Sequence, residues 1–418
     1  MPDAMTKANS GATLTELRER FRTVSVTGSN GKTTTTSGVE AMLAAGGATT
    51  ARITTLGAWV NGEQVAEDAT SEAFAATIHR AAAAGVTALA IETTSHALAQ
   101  GFASGWPADV AIFTNLSRDH LDYHGTPEHY LAAKAQLFVH LPTHGTAVLN
   151  ACDPSSELFD EVTPPGVRRL WYTGRPGEER ASRGASPDLA AVHVEVSRTG
   201  TLVRLAPSPL ATALGGRLEL PLIGRVHVDN ALAAALGAWA LGVTPDAIRT
   251  ALTTFAGVPG RFQIVHDHPL VVVDFAHTPD ALARTLRLAA ELVAPAGRVV
   301  CVFGCGGERD AGKRPEMGRI ATEQAAHVVL TTDNPRHEDP AAIADAVMSG
   351  ATGPGRLEQV IDRAEAIRRG IELAGPYDSV VIAGKGHERI QQVGDQTLPF
   401  DDVDVARAHC AALSKGEQ

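Results

Sequence analysis

The stretch TVSVTGSNGKTTT, residues 23–35, decides the fold class of this chain. An apolar, β-branched run from Thr23 to Thr27 leads directly into a glycine-rich turn and then into a segment of helical composition. The backbone N–H groups of such a turn, at the start of a helix, suit an anionic phosphate. The string matches GxxGK[ST] but not the longer phosphate-loop motif, since Val26 stands where the first glycine belongs. The loop predicts a nucleotide site in which Lys32 neutralises phosphate oxygens and Thr33 or Thr34 reaches Mg²⁺, and it is compatible with both ATP and GTP.

Strands and helices continue to alternate after this loop. The pattern predicts strands in residues 86–92, 110–115 and 145–150 and helices in residues 33–45, 73–84, 228–241 and 244–255. Such alternation is typical of a mostly parallel sheet covered by helices. Between residues 164 and 221, short runs interrupted by Gly, Pro and Ser predict a small antiparallel annex.

A second series of strands follows the segment GVPGRFQ, residues 257–263. Its members are predicted in residues 270–276, 298–304, 327–333 and 379–386. The sequence therefore predicts an α/β protein with an N-terminal tail (1–20), a P-loop parallel-sheet ATPase domain with the antiparallel annex (21–257), and a Rossmann-like α/β C-terminal domain (258–418).

Charge and composition exclude several classes of protein. With 36 basic and 47 acidic residues the net charge is −11, so neither nucleic acid nor an anionic membrane is expected as a partner. The longest apolar run, residues 231–243, is too short to span a bilayer. The first twenty residues lack the apolar core of a secretion signal, which predicts a cytoplasmic location. The four cysteines have the spacing of neither a disulfide framework nor a zinc site.

Charged residues cluster after the predicted strands of the first domain. Glu92 ends the strand of residues 86–92, where a carboxylate either caps the following turn or binds Mg²⁺; the phosphate loop at the same sheet edge favours Mg²⁺. The segment of residues 113–138 brings Asp119, His120, Asp122, His124 and Lys134 behind another strand. Its histidines serve as scaffolding or as ligands. Lys134 is surrounded by Ala, Leu and Phe, so partial desolvation is expected to lower its pKa and favour nucleophilic chemistry.

Three motifs of the second domain also follow predicted strands: CGGERDAGKRPEMG (305–318), TTDNPRHEDP (331–340) and AGKGHER (383–389). They are therefore expected at one edge of the sheet. Arginines 309, 314 and 336 and Lys385 supply cations, and Asp333, Glu338 and Glu388 supply acids. Both signs in one cleft favour a zwitterionic ligand; a structural network of ion pairs is the alternative.

In this order, the phosphate loop, FTNLSRDHLDYHG and DNPR resemble the Mur ligase family, and most closely its members that add meso-diaminopimelate. The similarity extends from about Thr23 to Asp402. It implies ATP-dependent amide formation through an acyl phosphate, with Mg²⁺, in peptidoglycan biosynthesis. The implied small-molecule substrates are an amino acid and a carboxylate acceptor.

The resemblance also implies roles for individual residues. Lys32, Glu92, His120 and Lys134 would be catalytic, with Lys134 carbamylated, and Thr33, Glu92, His120 and Lys134 would bind Mg²⁺. ATP would be bound by Gly28, Ser29, Asn30, Gly31, Lys32, Thr33, Thr34, Asn230, Arg261 and Asp274. The substrates would be bound by Thr70, Ser71, Thr94, Gln100, Arg309, Asp333, Asn334, Pro335, Arg336, Gly384 and Glu388.

Two departures concern the carboxylate acceptor. Family members have a domain that grips a uridine nucleotide before the phosphate loop, whereas here the loop begins at Gly28, so that domain is expected to be missing. Phe102 stands where the family has an arginine that contacts the nucleotide-linked substrate. One hypothesis is the cell-wall ligase itself, with a partner chain supplying acceptor recognition or the domain dispensable. A second is a paralogue acting on an acceptor without UDP in a specialised peptide pathway, and a third is a non-catalytic nucleotide-binding regulator.

Overall fold

The computed structural model describes residues 12–68, 70–177, 186–293 and 296–416. The chain forms two compact units, one of Met1–Ser117 with Thr126–Gly257 and the other of Arg118–Gly125 with Val258–Gln418. The first eleven residues of the predicted tail lie outside the described residues. The remainder of that segment includes helix α1 (Leu14–Arg18), in which Leu17 is buried.

The described part of the first unit contains an eleven-stranded sheet. Its strands are β1 (Arg22–Thr27), β2 (Thr50–Thr54), β3 (Gly57–Val60), β4 (Glu63–Ala66), β5 (Ala88–Glu92), β6 (Val110–Phe113), β7 (Thr146–Asn150), β8 (Arg168–Thr173), β9 (Leu189–Ser197), β10 (Gly200–Leu205) and β11 (Arg217–Leu220). Their order is β11-β10-β9-β8-β7-β6-β1-β5-β2-β3-β4. Strand β1 pairs in parallel with β5 and β6, whereas β9, β10 and β11 pair antiparallel. The predicted parallel sheet with an antiparallel annex is confirmed, and the annex continues the edge of the same sheet.

Helices cover both faces of this sheet. They are α1, α2 (Lys32–Ala45), α3 (Ser71–Ala83), α4 (Ser95–Ala99), α5 (Phe102–Gly105), α7 (Pro127–Val139), α8 (Ser155–Val162), α9 (Pro209–Ala213), α10 (Arg225–Ala240) and α11 (Pro245–Thr254). Alternate residues of β6 face opposite cores, since Ile112 packs with α2 and α10 while Phe113 packs with α7 and α8. Burial on both faces explains why these strands are continuous apolar runs.

The second unit contains a six-stranded sheet and a separate hairpin in its described part. The strands are β12 (Gln263–Asp267), β13 (Leu270–Asp274), β14 (Val299–Phe303), β15 (His327–Leu330), β16 (Arg356–Gln359) and β17 (Ser379–Ala383), and the hairpin is β18 (Ile390–Val393) with β19 (Gln396–Pro399). The helices are α6 (Leu121–His124), α12 (Pro279–Glu291), α13 (Arg314–Gln324), α14 (Pro340–Met348), α15 (Arg363–Leu373) and α16 (Asp402–Gly416). In the order β12-β13-β17-β14-β15-β16, all neighbours except β12 and β13 are parallel. The loops after β14, β15 and β17 therefore emerge at one edge, as expected from the sequence.

None of the helices in the described ranges combines the length and apolar character that crossing a bilayer requires.

Candidate active site

The glycine-rich loop between β1 and α2 lies directly on the end of β6. Gly28 has a φ of +149°, and a methyl group there would come within 1.9 Å of Thr114 Oγ1. Asn115 accepts from the backbone N–H of Ser29 through its carbonyl (2.7 Å) and from that of Asn30 through Oδ1 (3.1 Å). Thr114 and Asn115, which were not predicted as site residues, therefore fix the path of the loop. Close approach of the Thr114 side chain and the Asn115 backbone explains why glycine is required at position 28.

The loop ends at the first turn of α2, where backbone N–H groups lack partners within the helix. Gly31 occupies the N-cap with a φ of +82° and makes no side-chain capping bond. Lys32 donates from Nζ to the carbonyl of Ser29 at 2.9 Å. A helix N-terminus beside an ammonium group is the environment that an anionic phosphate requires, so the residues present fit a nucleoside triphosphate.

A hydroxyl and a carboxylate meet beside this loop. Thr33 donates from Oγ1 to Glu92 Oε2 at 2.9 Å, and the backbone N–H of Thr55 donates to the same oxygen at 3.3 Å. Glu92 is 9% exposed. These are hard oxygen donors of the kind that Mg²⁺ prefers. Across the described residues, no group of three or more His, Cys, Asp or Glu side chains could enclose a metal.

Thr34 and Asn230 lie on the other side of the same turn. Both line a small, largely apolar pocket with Met42, Leu252 and Phe255. A methyl group on Gly31 would come within 2.3 Å of Asn230 Oδ1. Asn230, on α10, is thereby held against the phosphate loop although it is about 200 residues away in the sequence.

Lys134 lies beneath the phosphate loop. It projects from α7, is 1% exposed, and donates from Nζ to the carbonyl of Gly28 at 2.8 Å. The ring of Tyr130, one helical turn earlier, lies 4.5 Å from Nζ, and the Tyr130 hydroxyl is 3.0 Å from Ser29 Oγ. Helix α7 therefore brings an amine to the same loop that the sequence predicts to hold phosphates.

The four residues of the first unit that are predicted to bind a substrate lie at the starts and ends of helices. Thr70 and Thr94 are N-caps of α3 and α4, and the side chain of each accepts from a backbone N–H at 3.2 Å. Thr70, Ser71 and Gln100 are exposed, and Thr94 is half-buried. Phe102, at the start of α5, packs edge-to-face on Phe74 with ring centroids 5.3 Å apart.

In the second unit, His120 lies in a small group of ionisable side chains with Asp119 and His277. His120 has a φ of +53°, and its Nε2 lies 3.4 Å from Asp119 Oδ2. The same oxygen is 4.0 Å from His277 Nε2. Burial, reinforced by the nearby cation of Lys313, lowers the pKa of His277 to about 4. His277 is therefore neutral near pH 7.

Arg261 and Asp274 lie where β13 meets the segment that opens the second unit. Asp274 accepts from the backbone N–H of Phe262 at 2.6 Å and from Thr285 Oγ1 at 3.0 Å, and burial raises its pKa. The Arg261 guanidinium lies over the ring of Phe275 at 4.2 Å. Asp274 thus fixes the turn next to Arg261.

The predicted amino-acid site is assembled at the ends of β15 and β17. Asp333 and Asn334 are 8% and 7% exposed, and Asn334 donates from Nδ2 to Glu388 Oε2 at 2.8 Å. Gly384 has a φ of +114°, and a methyl group there would come within 2.6 Å of Asp333 Oδ2. Arg336 has a φ of +52° and donates from Nη1 to the carbonyl of Gly307 at 2.7 Å.

Two further predicted residues border this group. A methyl group on Gly306 would lie 3.3 Å from Arg336 Nη1 and 3.6 Å from Arg309 Cγ. The two arginines therefore both lie next to this glycine. A methyl group on Gly307 would come within 1.9 Å of the carbonyl of Pro335. The loops after β14, β15 and β17 therefore bring the seven predicted amino-acid-binding residues to one sheet edge.

Two of the four cations in this cleft belong to ion pairs within the protein, which is the alternative that the sequence left open. Arg314, whose side chain is 6% exposed, pairs with Glu338 at 2.9 Å. Lys385, whose side chain is 0% exposed, pairs with Glu388 at 3.0 Å. Both cations are engaged inside the protein because their neighbouring acids neutralise them, so Arg309 and Arg336 remain as candidates to bind a ligand carboxylate.

Comparison with known proteins gives two family matches. The model of the Mur ligase middle domain matches residues 26–238, and that of the Mur ligase glutamate ligase domain matches residues 260–386. The chain is 40% identical over 396 residues to UDP-N-acetylmuramoyl-L-alanyl-D-glutamate–2,6-diaminopimelate ligase of Synechococcus elongatus, covering 93% of this chain and 76% of that protein. A solved structure of a ligase of the same description has 34% identity and a TM-score of 0.63, covering 94% of this chain and 79% of that one. Folylpolyglutamate synthase of Mycobacterium tuberculosis, solved with ADP and AMPPCP, shares the fold at 20% identity with a TM-score of 0.70, covering 95% and 92% of the two chains.

Proposed function

Because this chain belongs to the Mur ligase family, we propose that it is an ATP-dependent ligase that joins meso-diaminopimelate, or a close analogue, to a carboxylate acceptor in peptidoglycan biosynthesis. The observation that supports an amino-acid substrate is the presence of two acidic and two cationic side chains in the loops that follow β14, β15 and β17. Asp333 and Glu388 are acidic, and Arg309 and Arg336 are cationic. An amino acid carries an ammonium and a carboxylate within a few ångströms, so such a site suits it.

The reaction has two steps. An oxygen of the acceptor carboxylate attacks the γ-phosphorus of ATP, forming a C–O–P linkage and breaking the bond to the β-phosphate oxygen, so that ADP leaves. The amine nitrogen of the amino acid then attacks the acyl carbon and loses a proton, and inorganic phosphate leaves as the amide forms. Positioning and offset of negative charge supply most of the catalysis in phosphoryl transfer.

The first unit offers the groups for the first step. Residues 28–34 would hold the phosphates, with Lys32 and the N-terminus of α2 offsetting their charge. Thr33, Glu92 and a carbamate on Lys134 would hold Mg²⁺, which supplies positive charge to the phosphoryl oxygens. Asn230 would contact the remainder of the nucleotide. In the second unit, metal binding by His120 and nucleotide binding by Arg261 and Asp274 stay predictions from the sequence.

Carbamylation of Lys134 would convert an amine into an oxygen ligand. The ammonium group first loses a proton, and the neutral amine then combines with CO₂ to give a carbamate and a second proton, so that a cation becomes an anion. The burial of Lys134 and its contact with the Gly28 carbonyl support this proposal, since a carbamate there would lie directly beneath the phosphate loop. A carboxylate-like group there suits Mg²⁺ better than an ammonium does.

A second candidate function is a paralogous ligase whose acceptor carries no UDP. The observation that favours it is Phe102, which packs against Phe74; the ring of Phe74 in turn contacts the buried ring of Trp106. An apolar side chain in this aromatic cluster cannot pair with a phosphate or sugar-nucleotide charge. A partner chain that supplies acceptor recognition and a cytoplasmic location both stay predictions.

The acceptor is identified by measuring phosphate release with ATP and meso-diaminopimelate. We expect turnover when UDP-N-acetylmuramoyl-L-alanyl-D-glutamate is the acceptor, and the same assay is run with free acyl dipeptides as the matched alternative. Turnover with the nucleotide-linked acceptor alone would exclude the paralogue. Turnover with free dipeptides alone would establish it.

A lack of turnover with every acceptor, together with intact ATP binding, would instead indicate a non-catalytic nucleotide-binding regulator. Replacing diaminopimelate with lysine in the same assay tests the amino acid, since lysine lacks the second carboxylate. Equal use of both amino acids would contradict the proposed substrate.

Replacing Arg336 with alanine should raise the KM for the amino acid by about tenfold to a hundredfold, since a hydrogen bond to a charged group contributes about 1.5–3 kcal/mol. The KM for ATP should change little, because Arg336 lies in the amino-acid group described above. Steady-state kinetics with each substrate varied in turn provide the measurement. Arg287→Ala, an exposed arginine on α12, is the matched control. A larger effect on the KM for ATP than on that for the amino acid would rule out this assignment.

A further inference from the structure

Lys385 is a completely buried cation next to the amino-acid group. It follows β17 in the loop of residues 384–389, and its side chain is 0% exposed. Its Nζ donates to Asn334 Oδ1 at 3.0 Å, to Glu388 Oε2 at 3.0 Å and to the carbonyl of Ile390 at 2.5 Å. An ammonium group has three N–H donors, so all of them are used inside the protein. A ligand therefore has no donor of Lys385 left to contact.

The three bonds fix the orientation of the Asn334 side chain. Its Oδ1 accepts from Lys385 and from the backbone N–H of Gln392, both at 3.0 Å. Because both groups are donors, a rotated amide would place its NH₂ against them. The amide nitrogen of Asn334 must then face Glu388, to which it donates at 2.8 Å.

The same hydrogen bonds hold the Glu388 carboxylate in place and leave one of its oxygens available to a ligand. Lys385 and Asn334 both donate to Oε2, and within the described part of the chain Oε1 has no hydrogen bond to the protein. The Glu388 side chain is 31% exposed. An oxygen of an ionised carboxylate that is held in place and open to solvent is suited to an ammonium group of a ligand.

We propose that Lys385 is a positioning residue for amino-acid binding, which orients Asn334 and Glu388 without touching the amino acid. The proposal rests on the proposed function for the identity of the amino acid. It assigns Lys385 a role different from the ligand-binding cation that the sequence suggested. Since the three partners lie on two loops and at the start of β18, loss of the amine should disturb the whole group.

The test is Lys385→Met, which keeps an unbranched side chain, one atom shorter, and removes its donors. We expect the KM for meso-diaminopimelate to rise by about tenfold or more and the KM for ATP to change by less than about twofold. The reason is that Asn334 and Glu388, the side chains that lose their hydrogen bonds, both belong to the amino-acid site. Arg298→Met is the matched control, since it removes a cation that pairs with Asp378 (2.7 Å) at the opposite end of the same sheet. If the methionine variant does not fold, Lys385→Gln, which retains two of the three N–H donors, is used in its place.

A role limited to stability would lower the Tm of the variant and leave both KM values unchanged, which would overturn the proposal. A double-mutant cycle further distinguishes a positioning role from a role limited to stability. In the Glu388→Gln background, Lys385→Met should raise the KM for the amino acid by a much smaller factor than it does in the wild type. Equal factors in both backgrounds would show that Lys385 does not act through Glu388.

A crystal structure of Lys385→Met tests the orientation without any assay. The hydrogen bond between Asn334 and Glu388 should be lost or rearranged, and an unchanged pair would contradict the proposal. If wild-type protein does not use diaminopimelate, the proposed function fails while this structural result still decides the role of Lys385.

Discussion

Replacing Lys134 with alanine is expected to reduce ligase turnover by about a hundredfold to a thousandfold or more, the range seen when one group that stabilises developing negative charge is removed. ATP should still bind, because the loop of residues 28–34 keeps its contacts with Thr114 and Asn115. The side chain removed is 1% exposed and contacts the Gly28 carbonyl. Phosphate-release kinetics and calorimetric titration with a non-hydrolysable ATP analogue provide the two measurements.

The control for this variant is Val139→Ala, an exposed position at the end of the same helix. It should leave turnover unchanged. Short carboxylates such as acetate should partly restore the activity of Lys134→Ala, because they can enter the space vacated by the side chain and present an oxygen near the loop. Unchanged turnover in Lys134→Ala would contradict the role proposed for this residue.

The carbamate itself has a direct signature. Wild-type protein equilibrated with ¹³C-labelled bicarbonate should show a carbamate carbon resonance that is absent from Lys134→Ala. Full activity of the wild-type enzyme without this resonance would contradict carbamylation. The hydrogen bond of Lys134 to the Gly28 carbonyl would then remain as its observed interaction with the loop.

The fold was predictable because its signals are local. Continuous apolar runs such as β1 and β14 indicate strands buried on both faces, and each is followed by a turn and a helix. Strands β2, β3 and β4 were not predicted, since they are only four or five residues long and are joined by tight turns. Short strands without clear alternation are difficult to distinguish from loop.

The site was predictable only in part, for a related physical reason. Glu92 and Asp333 could be found because each follows a strand whose end was visible in the sequence. Thr114 and Thr55 could not be found, because a hydroxyl or backbone amide acquires its role only when distant segments meet. The same holds for Lys385, whose charge suggested a ligand contact until its three internal acceptors were located.

The clearest case of a long-range pairing is Arg363 with Asp402, both 0% exposed. Arg363 donates from Nε and Nη2 to the two carboxylate oxygens, each at 2.7 Å. It also donates to the carbonyls of Thr332 (3.0 Å) and Ala383 (3.1 Å), the residues that precede Asp333 and Gly384. One guanidinium group therefore ties together the ends of β15 and β17 and the start of α16. Nothing in the sequence marks these two residues, 39 positions apart, as partners.

Arg363→Met should lower the free energy of unfolding by about 3–5 kcal/mol, because it leaves the Asp402 carboxylate buried without its cation. Chemical denaturation of the variant and of the wild type measures the difference. The double variant Arg363→Met with Asp402→Leu should be destabilised less than Arg363→Met, since no unpaired charge remains, while the carbonyls of Thr332 and Ala383 still lack donors. The control is Arg369→Met, at a position on the same helix as Arg363. It breaks a half-exposed ion pair with Glu358 of β16 and should lower the free energy of unfolding by no more than about 1 kcal/mol. If Arg363→Met were as stable as Arg369→Met, the buried pair would not be what joins the two strand ends to α16.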